Sequence, residues 1–313
     1  MVSEIQTVAV IGCGLMGTGI AQACVQSGLR TIAIKATGGD PSSARRRIER
    51  SLARAVDKGK LGAADRDRAL ELLEVTTELS RVAEADLIIE SAAENVVAKQ
   101  DLLRRIEAHA QPLAIIGSNT SSLRLTTLAE ALEGTERFVG LHFFSPANVM
   151  KLVEIGPIAA TSPDVVETMR SFCQHIGKVP VEVGDHPGYL VNRLLVPYIL
   201  HAIETLEEGV AGPEAIDTAM KLGCAHPMGP LALADHIGLD VVFAMSKNLY
   251  AELGDPRYRC PTLLRRLVLA GSLGKKTGAG FYLYEAERTR ENPSLFDFDR
   301  PSSPVSRGAS PAA

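Results

Sequence analysis

An α/β amino-terminal half followed by an all-helical carboxy-terminal region is the fold class the sequence predicts, and three observations predict it. Val8 to Ile11 is a short apolar run that leads into Gly12, Gly14 and Gly17 at GxGxxG spacing, then into a helical pattern from Ile20 that stops at Gly28. Short apolar runs separated by helical patterns recur as far as Val183. After Gly188 no convincing strand follows, only helical segments. Strand, glycine turn and helix in that order form the context of a Rossmann-type dinucleotide-binding unit. The first glycine permits a tight turn, the second lets a phosphate approach the backbone, and the third lets the helix lie close to the strand. The helix amides and dipole then favour a pyrophosphate. Gly12, Gly14, Leu15, Met16 and Gly17 are therefore the first candidate cofactor contacts.

Bulk properties narrow the class. A chain of 313 residues with 46% hydrophobic and 22% charged side chains can bury a sizeable core as one to three domains. A formal net charge of −4 argues against nucleic acid as a partner. No apolar run approaches the ~18 residues of a membrane span. Glu4 followed at once by a strand leaves no secretory leader, so a cytoplasmic location and no membrane partner are expected. Cys13, Cys24, Cys173, Cys224 and Cys260 are odd in number, widely spaced and free of any CxxC, which reads as reduced thiols and not as a disulfide frame or metal site.

The remaining elements follow in order. Thr31 to Lys35 is a second strand, and Lys35 occupies the end where an NAD-binding unit carries Asp or Glu for the ribose 2′-hydroxyl. Lysine would attract the 2′-phosphate that an acid repels, so NADP is favoured over NAD, with Arg30, Thr37 and Arg45 to Arg47 as further donors. The next crossover is much longer than the dozen residues it needs. It holds a helical hairpin from about 42 to 73, broken at Gly59 to Gly62, with basic residues outside. Strands are expected at Leu73–Thr76, Asp86–Glu90 and Leu113–Gly117, with a helix from Val97 to Ala108. Glu94-Asn95 and the polar cluster Ser118 to Ser122 fall at strand ends, where ligands bind in open α/β sheets. The cluster also suits a helix N-cap.

Phe138 to Phe144 and Lys151 to Ile155 read as strands joined by a short turn at Ser145 to Asn148. Such a pair can set His142 beside Glu154, the arrangement of a general base with its orienting carboxylate. A helix from Pro163 to Ile176 and a strand from Val179 to Val183 complete the first domain. The break at Gly184 to Gly188 sets the predicted organisation: a dinucleotide-binding domain over 1–185, an all-helical substrate and dimerisation domain over 186–286, and a disordered tail over 287–313, which is rich in Pro, Ser and Arg.

From Val8 to Tyr284, about nine-tenths of its length, the chain resembles the L-3-hydroxyacyl-CoA dehydrogenase family (3-hydroxybutyryl-CoA dehydrogenases). The resemblance rests on residues 11–17, Glu94-Asn95, 118–122, 140–144, 150–154, 187–197, 219–223, 226–230 and 274–278, in that order. It implies hydride transfer between C3 of a short 3-hydroxyacyl thioester and a nicotinamide cofactor. His142 would take the hydroxyl proton and Glu154 would orient it. Ser121 and Asn192 would hydrogen-bond the substrate oxygen or hold the pocket, Asn192 from the second domain. Glu94, Lys99 and Lys276 would help hold the cofactor, and Ser51 and Lys58 would contact coenzyme A. A homodimer is implied as well. Two departures stand out: Lys35 replaces the family's Asp, and Ser145 replaces the Asn usual on the nicotinamide side of the pocket. Because acyl carrier protein shares the phosphopantetheine arm of coenzyme A, a hydroxyacyl-carrier-protein dehydrogenase of polyketide extender-unit synthesis is the alternative. A non-catalytic NAD(P)-binding protein and a dehydrogenase of free sugar acids are the remaining readings. The presence of His142, Glu154, Ser121 and Asn192 opposes the first of these, and the Ser51/Lys58 hairpin opposes the second.

Overall fold

The structure is a computed structural model that describes residues 5–37, 39–285 and 288–295. Two compact units divide the chain, Met1–Val191 and Asn192–Ala313.

The first unit is built on an eight-stranded sheet. Its strands are β1 (Thr7–Ile11), β2 (Arg30–Ile34), β3 (Leu73–Thr76), β4 (Leu87–Glu90), β5 (Ile115–Ser118), β6 (Phe138–Phe143), β7 (Leu152–Pro157) and β8 (Val179–Glu182). Their spatial order is β3-β2-β1-β4-β5-β6-β7-β8, with every pair parallel except β6 and β7. The order reverses beside β1, which opens a crevice at the carboxyl ends of β1 and β4. Period-two alternation covers both faces with core. Val8 and Val10 pack with Ile20, Cys24 and Leu52 on one side, while Ala9 and Ile11 pack with Ile32, Ile34 and Leu103 on the other. Each such aliphatic side chain contributes roughly 1.5–3 kcal/mol of burial.

Helix α1 (Leu15–Gln26) follows the glycine turn. The inserted hairpin is α2 (Ser42–Asp57) and α3 (Ala63–Glu71), and α2 buries Ala44, Ile48 and Leu52 at i, i+4 and i+8 while its arginines stay outside. Helices α4 (Val96–Glu107), α5 (Leu125–Ala129) and α6 (Pro163–His175) complete the unit.

The boundary falls a few residues later than the glycine and proline content suggested. Tyr189 is buried in the first unit's core, and the amides of Leu190 and Val191 are bonded to Glu154. Side-chain and backbone contacts, invisible to composition, carry the chain past Gly188 before it leaves.

The second unit contains α7 (Val191–Glu207), α8 (Pro213–Gly223), α9 (Pro230–Ile237), α10 (Leu239–Leu253) and α11 (Thr262–Leu269). Val196, Ile199, Ile203, Leu231 and Leu264 form its core. It is helical but not wholly so, because β9 (Tyr282–Tyr284) and β10 (Thr289–Glu291) make an antiparallel hairpin. Residues 288–295 therefore correct the expectation of a disordered tail from 287. A Glu291 carboxylate oxygen accepts the Glu214 amide at 2.6 Å, Asn292 Nδ2 donates to the Gly280 carbonyl at 2.8 Å, and Leu295 is buried. These anchors are single residues with no periodicity to betray them. The rest of that expected tail lies outside the described residues.

No helix among the described residues is long and apolar enough to cross a membrane. All five cysteines are free, and no group of three or more His, Cys, Asp or Glu among the described residues could hold a metal ion.

Candidate active site

The three loop glycines differ in what surrounds them. Gly12 has a φ of +107°, and a Cβ there would sit 2.3 Å from the Ser91 carbonyl oxygen. At Gly17 a Cβ would lie 1.7 Å from the Gly12 oxygen. Beside Gly14, by contrast, nothing comes within 4 Å of an added Cβ. Two glycines thus close the turn onto β4 and α1, and the third leaves open backbone at the first turn of a helix. That is the fit a pyrophosphate requires. Leu15 is exposed and Met16 half-buried beside it.

The antiparallel β6–β7 ladder places His142 directly opposite Glu154. His142 Nδ1 lies 2.7 Å from Glu154 Oε2, and both side chains are buried. The other carboxylate oxygen, Oε1, accepts the amides of Leu190 at 3.1 Å and Val191 at 2.9 Å. A carboxylate so engaged is an acceptor only, so Nδ1 donates and Nε2 keeps the lone pair. Two rings lie beside the imidazole, Phe144 at 4.6 Å and Tyr189 at 4.8 Å between centroids. Phe143 N donates to Asn119 Oδ1 at 2.8 Å, which ties the histidine strand to the end of β5.

A second buried carboxylate organises the ends of β4 and β5. Glu90 accepts from Lys99 Nζ at 2.6 and 2.8 Å, from Ser118 Oγ at 2.6 Å and from the Ala92 amide at 2.6 Å. Lys99 is 1% exposed, so its ammonium faces this carboxylate and not the solvent. Glu94 Oε1 accepts the Thr120 hydroxyl at 2.6 Å and the amides of Ser121 at 2.9 Å and Ser122 at 3.0 Å. Burial alone would raise the Glu94 carboxyl. Lys99 and the Thr120, Ser121 and Ser122 hydrogen bonds outweigh it and hold the group below its ordinary range. Glu94 thus braces the loop that carries Ser121, a task its sequence position did not reveal.

Lys35 directly follows β2, which ends one residue earlier than expected, with Nζ 3.4 Å from the Asp40 carbonyl oxygen. From the inserted hairpin, Arg47 donates to the carbonyl oxygen of Cys13 inside the glycine loop at 3.2 Å. Burial pushes the Cys13 thiol up, and the positive charges of Lys35 and Arg47 pull against that shift, so both cations act at the loop. Ser51 on α2 accepts from Asn148 Nδ2 at 3.4 Å, while Lys58 caps the same helix and is exposed. Ser145 is exposed in the turn after β6. The first unit therefore gathers the glycine turn, Lys35, Glu94, Ser121, His142 and Glu154 onto the carboxyl-end side of one sheet. Asn192 and Lys276 belong to the second unit. Asn192 is buried near the start of α7, and Lys276 is ion-paired with Asp240.

Sequence reasoning gave no site role to Glu90 or Tyr189, named Arg47 only as a donor near Lys35, and placed Asn119 only within the polar cluster Ser118 to Ser122. Glu90 ends an otherwise apolar strand, which is a readable signal. The others act through residues 24 to 47 positions away.

A dinucleotide fold with a carboxylate-held histidine at the carboxyl end of β6, on the same side of the sheet as the glycine turn, has the make-up of a nicotinamide-dependent oxidoreductase. The chain belongs to the 3-hydroxyacyl-CoA dehydrogenase family: the family's NAD-binding domain matches residues 7–186 and its C-terminal domain matches residues 188–284. It is 42% identical over 282 residues to a probable 3-hydroxybutyryl-CoA dehydrogenase of Bacillus subtilis, covering 90% of this chain and 98% of that one. The crystal structure of Mycobacterium tuberculosis FadB2 superposes with a TM-score of 0.88 at 39% identity, covering 90% of this chain and 100% of that one. The (S)-3-hydroxybutyryl-CoA dehydrogenase of Ralstonia eutropha gives 0.85 at 42% identity, covering 90% and 99%.

Proposed function

We propose that the protein interconverts a short 3-hydroxyacyl thioester and its 3-keto form, with His142 as the base. The observation that carries this reading is the 2.7 Å His142–Glu154 contact, whose carboxylate is itself fixed by two backbone amides. With Nδ1 committed as donor, Nε2 is the atom that takes the C3 hydroxyl proton, and Glu154 stabilises the imidazolium that forms. The bound nicotinamide supplies the hydride chemistry. Ser121, braced by Glu94, and Asn192 hydrogen-bond the substrate oxygen. Ser51 and Lys58 hold the coenzyme A portion, Lys58 through a phosphate. Glu94, Ser145 and Lys276 shape the cofactor site, with Lys99 acting through Glu90.

The test is a panel of 3-hydroxyacyl-CoA and acyl-carrier-protein thioesters, run with both nicotinamide cofactors on wild type and His142→Gln. Turnover of the CoA thioesters is expected, reduced about 10²- to 10⁴-fold in the variant while dinucleotide binding persists. Faster turnover of carrier-protein thioesters moves the assignment to that carrier. Dinucleotide binding with no thioester turnover makes the chain a non-catalytic binder.

NADP is the preferred cofactor in this reading, because Lys35 and Arg47 bring positive charge to the strand end and glycine loop that face the ribose. In kcat/KM, wild type should favour NADP over NAD and Lys35→Asp should reverse the order. A wild type that prefers NAD, little changed by the substitution, makes Lys35 a bystander. Exposed Leu194, Leu222 and Leu269 on the second unit support a homodimer, and the free thiols support a cytoplasmic location.

A further inference from the structure

We infer that Tyr189 is a positioning residue for His142, acting through the face of its ring. The inference rests on the assignment of His142 as base. Tyr189 has a φ of +50°, in the left-handed region that a bulky side chain rarely adopts, directly after Gly188 at +81°. That turn has two results. It stacks the tyrosine ring on the imidazole, 4.8 Å between centroids and 25° between planes, while the tilted ring of Phe144 lies 4.6 Å from the same imidazole. It also aims the next two amides, Leu190 and Val191, at Glu154 Oε1. One five-residue turn from Pro187 to Val191 therefore fixes the base and the carboxylate that orients it.

The sheet is cut to receive this ring. Gly140 and Gly156 face each other across the β6–β7 ladder. A Cβ at Gly140 would lie 2.5 Å from Tyr189 Oη, and one at Gly156 would lie 3.0 Å from Cε1. Both glycines flank the His142–Glu154 pair by two residues on their strands, so the slot and the catalytic pair share one face of the ladder. The hydroxyl is buried without a hydrogen-bond partner, and burial holds its acidity far below that of an ordinary phenol. A group left unsatisfied in this way is not what the site uses, which leaves the ring.

The experiment compares Tyr189→Phe and Tyr189→Leu with wild type, measuring kcat, KM, the pH profile of kcat and NADPH or NADH affinity. Phe should hold kcat within about twofold. Leu fills a similar volume without a planar face and should lower kcat about tenfold or more, with KM within about threefold and dinucleotide affinity unchanged. In the oxidation direction its acidic limb should move to lower pH by about half a unit, because an aromatic face stabilises an adjacent cation. A Leu variant with wild-type kcat and profile overturns the inference. So does a Phe variant as impaired as Leu, or a Leu variant that loses dinucleotide binding in step with kcat. If His142→Gln itself keeps wild-type turnover, the assignment of the base is what fails, whatever Tyr189 does.

Discussion

Glu154 in the first unit and Asp235 in the second are nearly the same device put to different ends. Each is a buried carboxylate that accepts two consecutive backbone amides: Leu190 and Val191 for Glu154, Phe281 and Tyr282 for Asp235. They differ in the third donor. For Glu154 it is an imidazole, whose second nitrogen remains available to chemistry. For Asp235 it is the Tyr284 hydroxyl at 3.1 Å, where the network ends. The glycines confirm the second role. A Cβ at Gly280 would sit 2.0 Å from Asp235 Oδ1, and one at Gly274 would sit 2.4 Å from the Asp235 carbonyl oxygen, so the glycine-rich return segment packs against both the side chain and the backbone of this one residue. An amide-bound carboxylate is a generic clamp, and the third donor, an imidazole with a second nitrogen or a tyrosine hydroxyl, sets the two apart.

The comparison breaks most readily at Glu154. Glu154→Gln keeps an acceptor oxygen for the two amides but loses the charge that stabilises the imidazolium. A fall in kcat of about 10²-fold or more is expected, with thermal stability little changed. Near-normal kcat together with a large stability loss would make Glu154 a clamp like Asp235. The reciprocal change, Asp235→Asn, leaves one of three donors unsatisfied. It should cost about 1–3 kcal/mol in urea unfolding, with kcat per folded molecule close to wild type. A loss of turnover without a loss of stability would erase the distinction from the other side.

An effect of similar size is expected in pH dependence. Burial, opposed by the Tyr282 and Phe281 amides and the Tyr284 hydroxyl, pushes the Asp235 carboxyl up from 3.8 to about 6. The folded state therefore prefers the protonated form. That contribution is fully present below about pH 3.8 and is lost as pH rises towards 6, up to about 3 kcal/mol across the window. Wild-type stability should fall over this range relative to Asp235→Asn, when both are followed by urea unfolding from pH 4 to 7. Parallel curves would show that Asp235 stays ionised throughout and clamps by charge alone.

Much of this was legible in the chain. Period-two and period-3.6 patterns placed the strands and helices of the first unit, because each element needs an apolar face to be buried. The glycine spacing located the dinucleotide turn, because only glycine tolerates a Cβ position 1.7 Å from a carbonyl oxygen. His142 and Glu154 could be paired from two strands and a short turn, since antiparallel register is local. The same local reasoning failed at residues 289–291, where a polar stretch is ordered by its pairing with Tyr282–Tyr284 and by a bond to Glu214. Nor does local pattern show that the Lys99 ammonium, given a cofactor role by the family resemblance, is bonded to Glu90.

The sequence by itself therefore determined the fold class, the dinucleotide turn, the pairing of His142 with Glu154, and the lysine that follows β2. Those follow from steric and periodic rules that act over a few neighbouring residues. Only the tertiary structure decided what surrounds them: the amides 36 and 37 residues from Glu154 that fix it, the tyrosine ring that walls the imidazole, the arginine that crosses from the inserted hairpin to the glycine loop, and the glutamate that braces Ser121. Each of these satisfies a buried polar group or fills a slot with a partner distant in the chain. Such partners are selected by three-dimensional proximity, which no local pattern encodes.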